Sequence, residues 1–247
     1  MVLSERRLRE KEQRKKEILD AAEFLFFSRS YEEVSMDDIA REVELNKATI
    51  YLYFENKESL YAAIVLRGVA ILQQKYRECM MQKVPGIVKV FLMGQAYYDF
   101  AREYPEYLRL IRFFGSERFS QENPCTAEIG KGYGTCRLLL RDAIREGIAD
   151  DTIRSDVDPF LSSMYLMISF MDILSMEDKW KLVIGEAGFS DEQYANMFFR
   201  FILPALVPPE KGQSMNIRDF ARYGFFLTGP SVPGSGKKTE RGTRDSS

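Results

Sequence analysis

A chain of 247 residues, 45% apolar and 13% aromatic, has ample material for a packed core, which excludes wholesale disorder. The formal net charge of −2 offers nucleic acid no bulk attraction, and the absence of histidine removes every Ser–His or Cys–His nucleophile and every imidazole metal ligand. Three cysteines without a C-x-x-C pair, no apolar leader and no run near the ~20 residues of a bilayer span point to a cytoplasmic, non-membrane protein without cofactor or metal.

The positive charge is concentrated near the start. Arg6, Arg7, Arg9, Lys11, Arg14, Lys15 and Lys16 outnumber Glu10 and Glu12, forming a basic arm ahead of the first amphipathic helix. In that helix Ile18, Ala22, Leu25 and Phe26 recur at i, i+4, i+7 and i+8, one apolar stripe. Ser35 with Asp38 three residues on is a capping box and predicts a second helix. Asn46 caps a third, and Asn56 a fourth running from Lys57 towards Met81.

Further along, Pro85, Pro105, Pro124 and Pro159 precede helical stretches. Asn123-Pro124 and Asp158-Pro159 each read as a cap followed by proline in the first turn, where the missing N–H costs nothing. The run from Phe160 to Leu174 is apolar on nearly every side and predicts a helix buried all round, within a domain or between subunits. Ser190 with Gln193 opens a last long helix, with Tyr194, Met197, Phe198, Phe201, Ile202 and Ala205 on one face and Pro208-Pro209 as its stop. No hairpin signal or alternating strand appears, so the expected fold is all-α. Residues 216–227 suggest a short helix, and Gly229–Ser247 has the composition of a mobile tail.

Function resides in Ser35–Phe54. Ile39, Ala40 and Val43 face inwards from one helix, Leu45 sits in the turn, and Ile50 and Phe54 brace the next from behind. That leaves Lys47, Ala48, Thr49, Tyr51 and Tyr53 at the front of a short helix, the arrangement that reading a DNA groove requires. The spacing of Ile18-Leu19, Ala21-Ala22, Leu25-Phe26, Tyr31, Asp38-Ile39-Ala40 and Thr49-Ile50-Tyr51-Leu52-Tyr53-Phe54-Glu55-Asn56-Lys57 resembles the TetR-type repressor family. The chain departs from that pattern at Ser30 and Glu44, where family members commonly carry glycine; at Glu44 either the residue takes positive φ at some cost or the turn differs slightly.

The resemblance implies an N-terminal three-helix helix-turn-helix domain (1–57, with the basic arm), a C-terminal helical bundle for effector binding and dimerisation (58–209), and an extension (210–247) that is largely mobile. Lys47, Ala48 and Thr49 are then expected at base edges, and Tyr51 and Tyr53 on the sugar-phosphate backbone. Ser35 and Lys57 are expected to grip phosphates, with Arg6, Arg7 and Arg14 along the duplex. The apolar pool for an effector pocket is Met93, Tyr97, Phe100, Tyr107, Phe113, Met164, Met167 and Met171; its composition favours an apolar or amphipathic molecule. Phe170, Ile173, Leu174, Tyr194, Met197, Phe198, Phe201 and Ile202 are the expected homodimer interface.

The function expected is a repressor released from a palindromic, double-stranded operator by a small effector. The alternative is a helical adaptor or nucleoid-associated DNA-binding protein without an effector. An enzyme is not expected: Gly130–Gly134 follows no strand, and Gly234–Thr239 lacks both the Ser/Thr directly after its first lysine and the spaced glycine of a phosphate loop.

Overall fold

The computed structural model describes residues 2–115, 124–212 and 217–223, and among these every regular element is helical. In chain order they are α1 (Val2–Ser28), α2 (Met36–Glu42), α3 (Lys47–Tyr51), α4 (Lys57–Met81), α5 (Gly86–Glu103), α6 (Pro105–Phe114), α7 (Pro124–Ala149), α8 (Pro159–Leu174), α9 (Asp178–Glu186), α10 (Asp191–Leu206) and α11 (Pro209–Gly212), followed by a 3₁₀ turn, Ile217–Tyr223. The N-terminal helices form a helix-turn-helix head and the later ones a helical body.

The caps read from the sequence are formed. Ser35, Asn46, Asn56, Asp158 and Ser190 each accept a backbone N–H with the side chain, and Ser35, Asn56 and Ser190 complete reciprocal capping boxes. Asn123 lies outside the described residues. The basic arm does not precede α1 but forms its first turns: Arg6–Glu10, Glu5–Arg9 and Arg14–Glu17 pairs run along an exposed face with no breaker before Ile18. The short helix α9, which the sequence reading did not anticipate, follows α8; its N-cap, Glu177, makes no side-chain cap bond. Gly130–Gly134 lies inside α7, and Gly234–Thr239 lies outside the described residues.

The head packs α1, α2 and α3 around Ile18, Ala22, Leu25, Phe26, Ile39 and Ile50, all at most 3% exposed. The first turns of α4 close this core through Leu60 and Tyr61, and the rest of α4 lies along α7 in the body. One continuous helix therefore belongs to both parts. α7 also packs on α5 and α8, and α10 lies across α8.

The turn between α2 and α3 explains the second departure. Leu45 N–H donates to Ala40 O at 2.9 Å and Glu44 N–H to Arg41 O at 3.2 Å, the paired closing bonds of a Schellman ending. That geometry requires a left-handed residue just past the helix, and Glu44 adopts it at φ 55°. Ser30, by contrast, keeps negative φ; its N–H and hydroxyl both donate to Glu33. Glu44→Gly relieves the left-handed strain, less the extra chain entropy of glycine, so it should stabilise the protein by roughly 0.5–1 kcal/mol in urea unfolding.

In α8, Ser163, Leu166 and Phe170 are buried, whereas Phe160, Leu161, Tyr165 and Ile168 are 48–65% exposed, which excludes burial all round within one chain and leaves burial between subunits. Among the described residues its own chain covers one stripe only. The described part of the extension after 209 includes the 3₁₀ turn. Phe220 is buried with its ring 4.9 Å from Phe91, which pins the 3₁₀ turn to α5.

Candidate functional site

α3 is five residues long, too short to hold together alone. It is fixed by Ile50 and Phe54, buried against α1 and α2, and by Asn46, which accepts the Thr49 N–H at 2.7 Å. Lys47, Ala48 and Tyr51 are exposed on the braced helix, and Thr49 is half-buried with its hydroxyl donating to Asn46 at 2.8 Å. The Lys47 ammonium reaches back to Asp37 on α2 at 2.7 Å, and that hydrogen bond raises its pKa. Exposed pairs of this kind hold weakly.

Tyr53 is half-buried against the head core and Leu52 is 78% exposed at the end of α3. Arg6, Arg7 and Arg14 lie exposed along the N-terminal part of α1.

Lys57 and Ser35, the expected phosphate grips, are both engaged within the chain. The Lys57 ammonium donates to the carbonyls of Tyr31 at 2.7 Å and Val34 at 2.9 Å and lies 4.0 Å from the Tyr31 ring centroid. It is a clamp between α4 and the α1–α2 loop, since orphan carbonyls at that bend need a donor. The Ser35 hydroxyl is engaged in its capping box with Asp38, whose carboxyl it holds below the usual value.

The expected pocket residues separate into groups. Met93, Tyr97, Met167 and Met171 meet around a small apolar void of about 30 Å³ between α5, α8 and α10, room for little more than one water. Phe100 packs between Tyr97 and Tyr104, and Met164 lines neither this void nor the cleft described below. Tyr107 and Phe113 point the other way, into the joint between head and body. The Tyr107 hydroxyl donates to Glu23 at 2.8 Å, and Phe113 stacks among Tyr31 and Tyr61. Arg109 donates to Phe26 O at 2.7 Å and Phe27 O at 3.2 Å, and Arg67 pairs with Asp20 and Glu23. α6 thus holds the end of α1, because the carbonyls of a helix terminus lack partners of their own.

The other end of α6 borders an open cleft of about 870 Å³. Ile111 and Arg112 line it from α6, Tyr97 from α5, Tyr133 from α7, Met171 and Asp172 from α8, and Trp180 from α9. Of the pocket pool only Tyr97 and Met171 reach it.

The expected dimer residues divide likewise. Phe170 and Phe198 belong to an internal aromatic cluster, with rings 5.4 Å apart and Phe199 4.9 Å from Phe170. Tyr194 and Phe201 are exposed, and Ile173, Leu174, Met197 and Ile202 are half-buried. The uncovered stripe of α8 was missed because both of its faces are apolar in sequence.

The sequence profile of "Bacterial regulatory proteins, tetR family" matches residues 18–64, the head and the first turns of α4. The chain is 40% identical over 198 residues to the Biofilm operon icaADBC HTH-type negative transcriptional regulator IcaR of Staphylococcus aureus (strain Newman), covering 75% of this chain and 99% of the relative. Among solved structures, a transcriptional regulator of the TetR/AcrR family from Thermobifida fusca superposes with TM-score 0.62 at 21% identity, covering 77% of this chain and 97% of that one. A gamma-butyrolactone receptor (ArpA-like protein) superposes with TM-score 0.56 at 15% identity over 87% of this chain and 94% of that one. At such identities these two likenesses show the fold alone.

Proposed function

The chain belongs to the TetR family of bacterial regulatory proteins, and we propose that it is a homodimeric repressor that holds a palindromic operator through two copies of α3 and releases it when a small molecule occupies the body. The observation that carries this reading is the short α3, braced by Ile50 and Phe54, with Lys47, Ala48 and Tyr51 exposed on it. A helical adaptor has no use for that surface. One such helix spans too few base pairs for a selective site, so two must act together, in grooves about 34–36 Å apart.

In this reading residues 1–57 are the DNA-binding head, 58–209 the body and 210–247 an extension tied to the body at Phe220. Lys47, Ala48 and Thr49 take the base edges, and Tyr51 takes the sugar-phosphate backbone with the half-buried Tyr53 beside it. Arg6, Arg7 and Arg14 lie along the duplex. The second copy is proposed to sit on α8 and α10, where Phe160, Leu161, Tyr165, Ile168 and Phe201 are exposed on a single chain. Repression is carried over from the negative regulator to which the chain is similar over most of its length.

Response to an effector is supported by α6, whose Ile111 and Arg112 face the cleft while Tyr107 and Arg109 hold α1. A molecule that favours one position of α6 biases the position of the head by the difference in its affinity for the two arrangements, typically ~1–3 kcal/mol.

Gel-shift titrations on a selected palindrome and on a scrambled duplex test the DNA roles. Tyr51→Ala should weaken both, while Lys47→Ala or Thr49→Ala should cost mainly the selected site, by roughly 1–3 kcal/mol per lost base contact. If both classes of variant behaved alike on the two duplexes, the division of roles would be wrong.

A further inference from the structure

The tyrosines of the body use their hydroxyls unequally. Tyr61 donates to Leu110 O at 3.2 Å and Tyr107 to Glu23 at 2.8 Å, so both serve the fold. Among the described residues the hydroxyls of Tyr97 and Tyr133 are shielded from water and have no hydrogen-bond partner. Burying such a group unpaired is costly, and proteins rarely do so without a use for it. Both side chains line the same cleft, from the neighbouring helices α5 and α7, and the Tyr133 phenol lies in the field of Tyr97.

The charges around them set the sign of what fits. Arg112 lines the cleft from α6, and no acidic partner is found for it among the described residues. Burial pushes the Tyr97 phenol up, and of the charges acting on it Arg112 outweighs Asp172. Glu177, on the far wall, is already paired with Lys179 at 2.7 Å. A guanidinium only donates, and a phenol donates readily to an oxyanion. The rest of the wall is largely apolar, with Met171, Ile173, Val183 and Ile184 leading towards Trp180, and the volume lies within the roughly 300–1,000 Å³ of small-molecule sites.

We propose that this cleft binds a small amphipathic carboxylate, its head hydrogen-bonded by Tyr97 and Tyr133 within reach of Arg112 and its hydrocarbon body laid along Met171, Ile173 and Val183. The inference rests on the regulator reading only for its consequence, operator release; binding itself is a property of the cleft. The two phenols are ligand donors held in reserve, and α6, which carries Arg112, is the element that senses the head group.

Trp180 is the sole tryptophan and lines the cleft, so its fluorescence reports occupancy. The full-length protein is titrated with sodium decanoate, decanol and decyltrimethylammonium below their micellar concentrations. Decanoate should saturate the signal at a concentration roughly tenfold or more below decanol, and the ammonium probe should leave it flat. Tyr97→Phe and Tyr133→Phe should each weaken decanoate by roughly tenfold or more, as loss of a hydrogen bond to a charged group does, and leave decanol unchanged. Neither unliganded variant should melt below the parent, since each loses only an unpaired hydroxyl; a rise of roughly 2–4 °C is expected.

Equal binding of decanol and decanoate, preference for the ammonium, no response to decanoate, or Phe variants that bind decanoate like the parent would each overturn the proposal. Operator gel shifts on the same preparations keep the two readings apart. A protein that binds its palindrome but no decanoate loses this inference alone. One that binds decanoate without releasing the operator keeps the site and loses the switch.

Discussion

Ala48→Glu should abolish operator binding and leave the head folded. Ala48 is exposed in the first turn of α3, so the larger side chain has room, and a carboxylate near a helix N-terminus is favourable to the helix itself. Against DNA the same group places a negative charge where the leading edge of α3 must approach base edges and phosphates. Like-charge juxtaposition across an interface costs several kcal/mol, so affinity for both the palindrome and a scrambled duplex should fall by roughly 100-fold or more. Circular dichroism and the melting curve should be unchanged, which separates this loss from unfolding. Affinity kept within roughly threefold of the parent would place the front of α3 off the duplex.

Gly86→Ala should be the most damaging single change to stability. A Cβ at Gly86 would lie 2.0 Å from the Gly147 nitrogen and 2.3 Å from its Cα. These are backbone atoms, so no change of rotamer relieves the clash. The seam is also where the end of α7 caps the start of α5: Gly86 N–H donates to Asp150 at 2.8 Å and Ile87 N–H to Thr152 at 3.2 Å, with Lys89 paired to Glu146 beside them. Parting the helices breaks this set together. The expected loss is about 3 kcal/mol or more, a melting temperature lower by roughly 6–12 °C. Gly134→Ala, on the same α7 but with nothing within 4 Å of its Cβ, is the control; it should stabilise by up to ~1 kcal/mol through helix propensity alone. Equal effects of the two substitutions would show that the α5–α7 approach is not as close as the geometry gives it.

The head was legible in the sequence because its signals are local. A cap and its target lie three residues apart, as with Ser35 and Asp38, and Ile50 and Phe54 fall on one side of any helix drawn through them. The turn at Glu44 was flagged only by the glycine common there in the resembled family; the structure decides that the residue takes positive φ in a Schellman ending. The clamp made by Lys57 was not legible because its partners, the carbonyls of Tyr31 and Val34, stand 26 and 23 residues away, and nothing in the local pattern says that a bend needs a cation there.

In the body the residues pooled from the sequence fall in different places. Phe113 and Tyr107 are aromatic like Tyr97, yet they serve the joint with the head while Tyr97 lines the cleft. Hydrophobicity has no direction, so on a helix that is apolar on both faces, such as α8, pattern alone cannot tell which stripe turns inwards.

By itself, then, the amino-acid order determined the all-helical character, the starts of the side-chain-capped helices and the helix-turn-helix, since backbone capping and periodicity act over a few residues. Only the tertiary structure decided which aromatics meet, which phenols stay unpaired and which face of α8 is left bare. Those outcomes depend on how distant helices compete to bury the same apolar surface, and that competition is settled by shape rather than by composition.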